Sequence, residues 1–575
     1  MTTVGPIVLD RRAARTGGRR RYLRLALPLL PVVVLAERAW SVRWVADDGF
    51  ITLRVVQQLL DGNGPVYNAG ERVEASTSTL WVFVLALGDL VLPFRLERVA
   101  VVLGLVLTIG GLVLATLAAR SLCDGLQPGA LLVPAGAAVL VAVKPVWIFT
   151  TSGLEGGLIT AWLGGTLWLL VRWGDGGGRL PWWGAVVLGL GPLIRPDLAV
   201  FSAVSLGVVL AASRRDGWPA AMRLLAWALG LPVAYQIFRM GYYGLVMPNP
   251  GVTKEAGLAR WDLGWRYLGA FVGPYLLWLP LLVLAVGAYV PLVRDLRRRR
   301  RTRSLLVVAA FVAGGVVHAL YTVRVGGDFI ESRLLLPPFF ALIAPVAVVP
   351  LRRSHAVTLL VLPWAAISLL FLRSSVDDVI VANDNPVTIG DYGWGPRGGR
   401  RASFQGDGVY YHGTRLSARP ADGRHVVFGA YGIGVSGFAL GTDVYVLDLL
   451  GLADSFTSHL RIDERGLPGH EKPLPPPWIA ARATAPGSTV DESELAASIP
   501  LVRTTSLGGP DPAPFDERVA VARSTLECKE MREFFAVSSG RLTPRRFLRN
   551  VAGAFGNTML RIEPRPDDAA AQFCD

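Results

Sequence analysis

Two adjacent carboxylates, Asp47 and Asp48, directly follow the first apolar stretch of the chain. Adjacent carboxylates repel each other, which favours protonation of one of them. A carboxylate in this place can deprotonate an acceptor hydroxyl as a general base, or it can hold a divalent cation. The structural alternative is helix capping, because the run that begins at Asp48 also looks like a helix start. Capping explains one aspartate more easily than two, so catalysis stays open beside it.

Glu155 and Arg195 lie at the ends of two consecutive apolar stretches, in Ser152-Gly-Leu-Glu155 and Arg195-Pro-Asp197. A carboxylate near the hydrocarbon of a bilayer is costly unless it is paired or functional. Pairing of Glu155 with Arg195 is the structural interpretation. Contact with a membrane-borne substrate is the functional one.

Further charged residues lie in the segments between apolar stretches. Lys254 is one of four lysines and follows Asn249, and Asp328 and Arg333 lie in a later segment. A cation at the membrane surface suits a lipid-linked phosphate, although a single cation is more often a snorkelling anchor. Glu74 ends a turn-rich loop and could bind sugar hydroxyls, or it could simply be solvated. The convergence of several such motifs on one face favours a site.

The C-terminal part of the chain adds Asp454, His470 and Lys472, the last two within Pro468-Gly-His-Glu-Lys472. These residues could line the site of an acceptor substrate. The alternative is a structured turn that holds a lone histidine. Cysteine and histidine spacing supports no zinc site, so a metal requirement stays unknown beyond the divalent cation considered above.

The elements that must position these residues are membrane helices. Hydrophobic residues make up 52% of the 575 residues and charged residues 18%, and apolar runs of about 20 residues, the length of a membrane span, occur only before residue 374. The fold class predicted is a polytopic α-helical membrane protein with eleven spans. We expect these spans near 22–41, 98–119, 129–149, 155–171, 181–194, 197–212, 219–240, 265–292, 304–322, 334–351 and 355–373.

The arginine-rich run 294–303 should be cytoplasmic, which makes 1–21 a cytoplasmic basic tail. Residues 22–373 then form the membrane domain and 374–575 an extracytoplasmic domain, so the protein is expected in the cell membrane with its site outside. The first exported loop is 42–97, within which 79–93 is expected to be a short helix at the outer face. The pair 181–194 and 197–212 is expected to be a broken hairpin.

The C-terminal domain is expected to be α+β or mainly β, with strands near His425–Ala430 and Asp443–Leu450. Cys528 and Cys574 either form one disulfide, if this domain is exported, or stay as free thiols. The net charge of +14 is best explained by basic cytoplasmic loops, so we expect a lipid bilayer and no nucleic acid as partner.

Taken together, these motifs resemble the GT-C glycosyltransferases, which carry a carboxylate pair in the first exported loop. More narrowly, they are similar to the terminal β-(1→2)-arabinofuranosyltransferase family of the mycobacterial-type cell wall. The resemblance covers nearly the whole chain. Its most specific parts are the Asp47-Asp48 run and Pro468-Gly-His-Glu-Lys472. Pro250 and Thr77-Ser-Thr79 depart from the expected pattern, which bears on the sugar and linkage more than on the chemistry.

The resemblance implies decaprenylphosphoryl-arabinose as donor and the non-reducing ends of arabinan, in arabinogalactan and lipoarabinomannan, as acceptor. One residue of Asp47 and Asp48 would be the acid/base residue, and no cofactor is certain. A β-linked product from a β-linked donor means retention, which requires a carboxylate nucleophile or a front-face route. The donor side would include Lys254, Arg333, Arg195, Asn249 and Glu155. The acceptor side would include Glu74, Asp328, Asp454, His470 and Lys472.

Two other functions are compatible with such a chain. One is transfer of another polyprenyl-phosphate sugar such as mannose, which the sequence separates poorly from arabinose. The other is a transporter or flippase for a lipid-linked glycan, which should show inverted repeats, and none is seen in the sequence. A flippase would also have no need of paired exported aspartates.

Overall fold

The computed structural model describes residues 26–124, 130–176, 178–330, 332–351, 355–372, 426–430, 432–462, 465–466, 468–484, 489–493, 495 and 513–574. The predicted tail 1–21 and the first residues after 373 lie outside the described residues. The helices before residue 373 are α1 Leu30–Ser41, α2 Asp47–Leu60, α3 Thr79–Val91, α4 Leu96–Asp124, α5 Ala135–Ala142, α6 Lys144–Thr150, α7 Gly156–Gly176, α8 Trp182–Gly189, α9 Gly191–Ile194, α10 Ala199–Ala212, α11 Trp218–Tyr242, α12 Asn249–Thr253, α13 Trp261–Val272, α14 Trp278–Leu284, α15 Val290–Arg298, α16 Thr302–Arg324, α17 Leu336–Ile343 and α18 His355–Phe371.

After residue 425 the structure contains short helices and one parallel strand pair. The helices are α19 Gly434–Leu440, α20 Pro476–Ala483, α21 Phe515–Glu527, α22 Lys529–Ser538, α23 Pro544–Met559 and α24 Pro566–Phe573. Strands β1 Leu132–Val133 and β2 Val349–Pro350 pair antiparallel in the first part of the chain, whereas β3 Val426–Ala430 and β4 Val444–Asp448 pair in parallel. The two strands expected from the sequence are therefore confirmed, and among the described C-terminal residues they are combined with helices; an α+β or mainly β domain stays a prediction.

Within the described ranges, four helical stretches are long and apolar enough to cross a membrane: Leu96–Asp124, Trp218–Tyr242, Trp278–Arg298 and Thr302–Arg324. They agree with four of the eleven predicted spans, the third only in its second half. Shorter apolar helices occupy Thr79–Val91, Pro196–Ala212, Arg333–Val346 and His355–Phe371. The chain is therefore mostly helical and of a membrane type, and eleven crossings stay a prediction.

Three predicted spans are interrupted. Within 129–149, Val143 has an extended backbone and separates α5 from α6. Pro145 lies in the first turn of α6, where proline is tolerated. Within 265–292, the chain turns after α13 through Leu276, which has φ of +48°. Within 334–351, α17 ends at Ile343, and a 3₁₀ turn with Pro345 and strand β2 follow. Single apolar runs in the sequence are thus two elements in the fold.

Glycines allow α4 and α7 to pack closely, which fixes the start of α7. A Cβ at Gly111 would lie 2.2 Å from the carbonyl oxygen of Thr160, and one at Gly164 would lie 2.1 Å from that of Gly111. Small residues of this kind let membrane helices approach backbone to backbone. Glu155 directly precedes α7, so its position follows from this contact.

The C-terminal segment packs on the first loop through two arginines. The guanidinium of Arg54, buried in α2, donates to the carbonyl oxygens of Gly441 and Val444, both at 2.7 Å. Arg72 donates to those of Val537 (2.8 Å) and Gly540 (2.7 Å). Hydrogen bonds from charged donors are stronger than neutral ones. The segment after residue 425 is therefore fastened to the loop that carries the aspartate pair.

Candidate functional site

Asp47 and Asp48 both begin α2, but they have different partners. The carboxylate of Asp47 accepts hydrogen bonds from the backbone N–H groups of Gly434 (3.2 Å) and Val435 (2.8 Å), at the start of α19. Capping therefore accounts for Asp47, although the helix it caps belongs to the C-terminal segment and not to its own element. The sequence prediction did not separate the two aspartates, and this contact does.

Asp48 belongs to a cluster of four charged side chains, which we call the Asp48 cluster: Asp48, Arg333, Asp328 and Lys254. Arg333 contacts Asp48 at 3.0 Å and Asp328 at 2.5 Å, and Lys254 donates to Asp328 at 3.4 Å. Burial alone would raise the pKa of the Asp328 carboxyl, but Arg333 and Lys254 lower it below its usual value. Asp328, predicted to bind the acceptor, is thus an ionised anchor for both cations.

His470 joins this cluster from the C-terminal segment. Its ring contacts Phe329 edge to face with centroids 5.0 Å apart, and Lys254 Nζ lies 5.9 Å from the Phe329 ring. Gly469 has φ of +88°, and a Cβ there would lie 3.0 Å from the Lys254 side chain. The turn therefore requires glycine both for its backbone and for its contact. Desolvation of the ring and the nearby Lys254 lower the pKa of His470, although Asp48 opposes them, which favours the neutral imidazole.

A second charged group lies behind Arg333. Arg195 forms a bidentate pair with Asp197, both contacts at 2.6 Å, and contacts Glu155 at 3.3 Å. His318 Nε2 lies 2.6 Å from Asp197. The predicted pairing of Glu155 with Arg195 is confirmed, and so is the turn at Arg195 between short helices.

A narrow cavity of about 60 Å³ links the two charged groups to the helix interior. Its polar end includes Glu155, Arg195 and Arg333. Its walls are mainly apolar and include Leu35, Leu112, Leu140, Ile159, Leu163 and Phe340. Apolar clefts with a few convergent polar groups are typical of ligand sites. The cations Arg195 and Arg333 in a mainly apolar lining suit an amphiphile whose head group is anionic.

Three predicted site residues have structural partners elsewhere. Glu74 is buried and receives hydrogen bonds from Arg239 (2.6 and 3.0 Å) and from Tyr235 (2.7 Å). Asn249 donates its amide to the carbonyl oxygen of Gly451 at 2.8 Å. Asp454, fully buried, forms a bidentate pair with Arg482 at 2.8 and 2.6 Å. These contacts engage the Glu74 and Asp454 carboxylates and the Asn249 amide nitrogen, whereas Asn249 Oδ1 has no hydrogen-bond partner among the described residues.

Lys472 is also a structural residue. Its ammonium group is buried and donates to the Ser458 carbonyl oxygen (2.7 Å), the Val252 carbonyl oxygen (3.2 Å) and Glu255 (2.7 Å). Burial lowers the pKa of Lys472 to about 8, against the attraction of Glu255. Since three donors have three acceptors, Lys472 holds the 252–255 turn in place beside Lys254 and leaves no donor for an acceptor sugar.

A motif that sequence reasoning missed lies between β3 and β4. Gly432, Gly434 and Gly437 have GxGxxG spacing, follow a strand and begin a helix, which is a known pattern for phosphate binding. A Cβ at Gly434 would lie 1.9 Å from the Asp47 carbonyl oxygen, and one at Gly437 would lie 1.9 Å from the Tyr67 hydroxyl. These glycines allow α2 and α19 to touch. The Asp47 carboxylate takes the position at the helix start where a phosphate would bind.

In the part of the chain that the structure describes, no three His, Cys, Asp or Glu side chains gather in a way that could hold a metal ion. Asp47 and Asp48 in particular bind an amide pair and an arginine respectively. Cys528 and Cys574 form a disulfide with Cα atoms 5.6 Å apart, while Cys123 is a buried free thiol. A disulfide of this kind is typical of proteins or domains in oxidising compartments.

Comparison with known proteins places the chain in a family. No protein-family model matches it, and neither does any solved structure. The terminal β-(1→2)-arabinofuranosyltransferase of Mycobacterium tuberculosis is 34% identical over 93% of this chain and 94% of its own length. The enzyme of the same name from Corynebacterium glutamicum is 41% identical over 54% of this chain and 49% of its own length. With near full-length similarity of this kind, the chain belongs to the terminal β-(1→2)-arabinofuranosyltransferase family of glycosyltransferases.

Proposed function

We propose that the protein transfers arabinofuranose from decaprenylphosphoryl-arabinose to the non-reducing ends of cell-wall arabinan and forms terminal β-(1→2) linkages. The names of both relatives support the reaction. The observation that carries the proposal within this chain is the Asp48 cluster, whose Arg333 also lines a mainly apolar cavity. A lipid-linked sugar phosphate combines those two kinds of surface in one molecule.

The donor phosphate would lie against Arg333 and Lys254. Arg333 lines the cavity and is partly exposed, so it can reach an anionic head while the isoprenoid chain enters between the helices. The Lys254 ammonium group makes one hydrogen bond, at 3.4 Å, among the described residues, and the side chain is 26% exposed. Its remaining donors can therefore turn to a phosphate. Arg195 forms a bidentate pair with Asp197. It would therefore help to shape the cavity that it lines with Arg333 more than bind the phosphate directly.

Asp48 would orient the acceptor 2-hydroxyl and take its proton as the new bond forms to the anomeric carbon and the bond to the phosphate oxygen breaks. The electron pair of the broken bond leaves on the phosphate, where Arg333 and Lys254 neutralise it. Asp48 and Arg333 are 3.0 Å apart, so the base and the leaving group share one side of the sugar. Attack from that side is the front-face route, which retains the β configuration.

The site is assigned to the extracytoplasmic face of a multi-pass membrane protein. The arginine-rich run 294–303 joins the helical stretches Trp278–Arg298 and Thr302–Arg324. It lies at the opposite end of Thr302–Arg324 from Asp328, which Lys254 contacts. The Cys528–Cys574 disulfide supports an oxidising environment for the C-terminal segment. A polyprenyl-phosphate donor suits this side of the membrane, because no nucleotide sugar is needed there.

The proposal is tested with purified protein, labelled decaprenylphosphoryl-arabinose and an arabinan oligosaccharide. Labelled sugar should appear in a terminal β-(1→2) linkage by linkage analysis, and decaprenylphosphoryl-mannose should serve poorly. Arg333→Gln should lower transfer more than Arg324→Gln, whose side chain contacts only a backbone carbonyl at the surface among the described residues. Efficient mannose transfer, or none with either donor, would overturn the assignment of the sugar.

A further inference from the structure

The exposed apolar surface of the C-terminal segment is concentrated on α23. Leu548, Phe555 and Met559 are 67%, 70% and 60% exposed, and they share one face of the helix with the exposed Ala552. Among the described residues from 426 onward, the other large exposed apolar side chain is Leu542, in the turn before α23. A contiguous exposed patch of this kind marks an interaction surface.

A basic face lies beside the apolar one. Arg541, Arg545, Arg546 and Arg549 occur within 541–559, and this range contains no Asp or Glu. Arg545 and Arg549 are exposed, and at 100° per residue both lie along one side of the stripe that contains Leu548. Apolar residues on one side and arginines on the next are typical of helices that lie in the plane of a membrane surface.

The third face of α23 packs against the end of the span α11. Asn550 and Asn557 donate to the carbonyl oxygens of Gly241 and Gly244, both at 3.0 Å, and Thr558 Oγ1 accepts from the N–H of Val246 at 3.0 Å. A Cβ at Gly241 would lie 2.1 Å from the ring of Phe547, so this glycine allows the contact. These bonds fix how α23 is rotated.

The exposed face of α23 therefore continues a surface that already faces lipid. Only 6% of the apolar window of α11 is buried within the protein, and Leu231, Val233 and Ile237 on it are about half exposed. A span with so little internal contact is covered by hydrocarbon. Its end at Tyr242 marks the boundary of that hydrocarbon, and α23 begins its contacts there, at Gly241.

We propose that α23 lies in the headgroup layer of the outer leaflet, with its apolar face in the acyl region and its arginines on the phosphates of anionic phospholipids. Guanidinium groups bind phosphate with two donors, and helices of this type sit about 5–10 Å into the boundary between headgroups and acyl chains. The C-terminal segment is thereby held against the bilayer beside the Asp48 cluster. This inference rests on α11 as a span and is independent of the sugar that is transferred.

The test measures depth in the full-length protein in phospholipid nanodiscs. In a Cys123→Ala background, spin labels are placed at Leu548→Cys, Phe555→Cys or Met559→Cys, with Glu517→Cys, exposed on α21, as the matched control. Power saturation with oxygen and with a water-soluble nickel chelate should give a several-fold higher oxygen-to-nickel ratio at the three α23 positions. The ratio should correspond to a depth of about 5–10 Å.

A second arm tests the charge. Addition of phosphatidylglycerol to phosphatidylcholine nanodiscs should move the label at 555 deeper, and Arg545→Gln with Arg549→Gln should abolish that shift without unfolding, since both side chains are exposed. Nickel access at 548, 555 and 559 equal to that at 517 would overturn the proposal. Shielding from both oxygen and nickel would also overturn it, because that result indicates a protein partner or a second copy on this face.

Discussion

The Asp48 cluster and the network around Asp454 contain the same kinds of side chain but differ in what remains open. In the Asp454 network, the buried carboxylates of Asp454 and Glu71 accept hydrogen bonds from the side chains of Arg482, Thr457, Ser455 and Tyr445. In the Asp48 cluster, the side chains of Asp48 and Lys254 are 20% and 26% exposed, and Arg333 lines a cavity. Charge alone therefore does not identify a site. Partly exposed charges, one of them on a cavity, are the reason for proposing a site at the Asp48 cluster.

The sharpest way to break this comparison is Asp48→Asn. If Asp48 takes the acceptor proton, this change should lower kcat about 10²–10⁴-fold, the usual cost of losing a general base. Asparagine keeps the size of the side chain and can still accept a hydrogen bond from Arg333, so the fold should be retained. The measurement is transfer rate per folded enzyme, with the denaturation midpoint as control. A rate within a few-fold of wild type would remove Asp48 from the chemistry.

Asp454→Ala tests the other region. Removing this carboxylate leaves Arg482 buried without its bidentate partner, which should cost about 3–5 kcal/mol of stability. Burial would raise the pKa of Asp454, but Arg482 lowers it below the usual value, so the pair is ionised at pH 7. The free energy of unfolding of the C-terminal segment, by denaturant titration, is the measurement.

The matched control for that change is Asp262→Ala. Asp262 and Arg266 form an exposed pair one helical turn apart, with side chains 69% and 75% exposed. Such pairs contribute about 0.3–0.5 kcal/mol to the free energy of unfolding. If Asp454→Ala reduced transfer while stability stayed at the wild-type value, Asp454 would belong to the site after all. The contrast between an open and a closed region would then be wrong.

The closed region also predicts a pH dependence. Burial, with Lys472 and Arg561 nearby, lowers the pKa of His459 to about 4. Between pH 6.5 and 4 the unfolded chain therefore binds more protons at this residue than the folded chain, and stability falls as pH falls, by up to about 1.4 kcal/mol per unit. Asp448, whose pKa burial raises to about 7, acts in the opposite direction. The difference in unfolding free energy between wild type and His459→Gln isolates the histidine.

In that experiment the curves for the two proteins should diverge below pH 6.5, with the wild type losing stability more steeply. Parallel curves from pH 7 to 4.5 would mean that His459 is charged in the folded protein, which would contradict the lowered pKa that its burial causes.

The sequence indicates the proximity of the residues in the open region more readily than the pairings in the closed one, for a physical reason. Asp48, Lys254 and Arg333 all lie in segments predicted to leave the membrane on the same side, so the level of the membrane surface brings them together before any contact is known. Glu74, Asp454 and Lys472 were predicted to bind sugar because a sequence shows residue types and not partners. Their partners Arg239, Arg482 and Glu255 are 165, 28 and 217 residues away. The interrupted spans were missed because hydropathy does not register a turn at Val143 or Leu276.

The smallest predicted effect concerns the residue that joins the two regions. Asp47 caps α19 of the C-terminal segment, so Asp47→Ala should cost about 1 kcal/mol, as lost caps usually do, and should change kcat only a few-fold. Asp47→Asn keeps one acceptor oxygen, enough for one of the Gly434 and Val435 amides, and should recover part of that stability. The two variants are compared with Asp48→Asn in the same transfer and denaturation assays. If Asp47→Asn lost activity as completely as Asp48→Asn at wild-type stability, the base would be Asp47. The α19 contact would then describe a closed state that must open before the acceptor can bind.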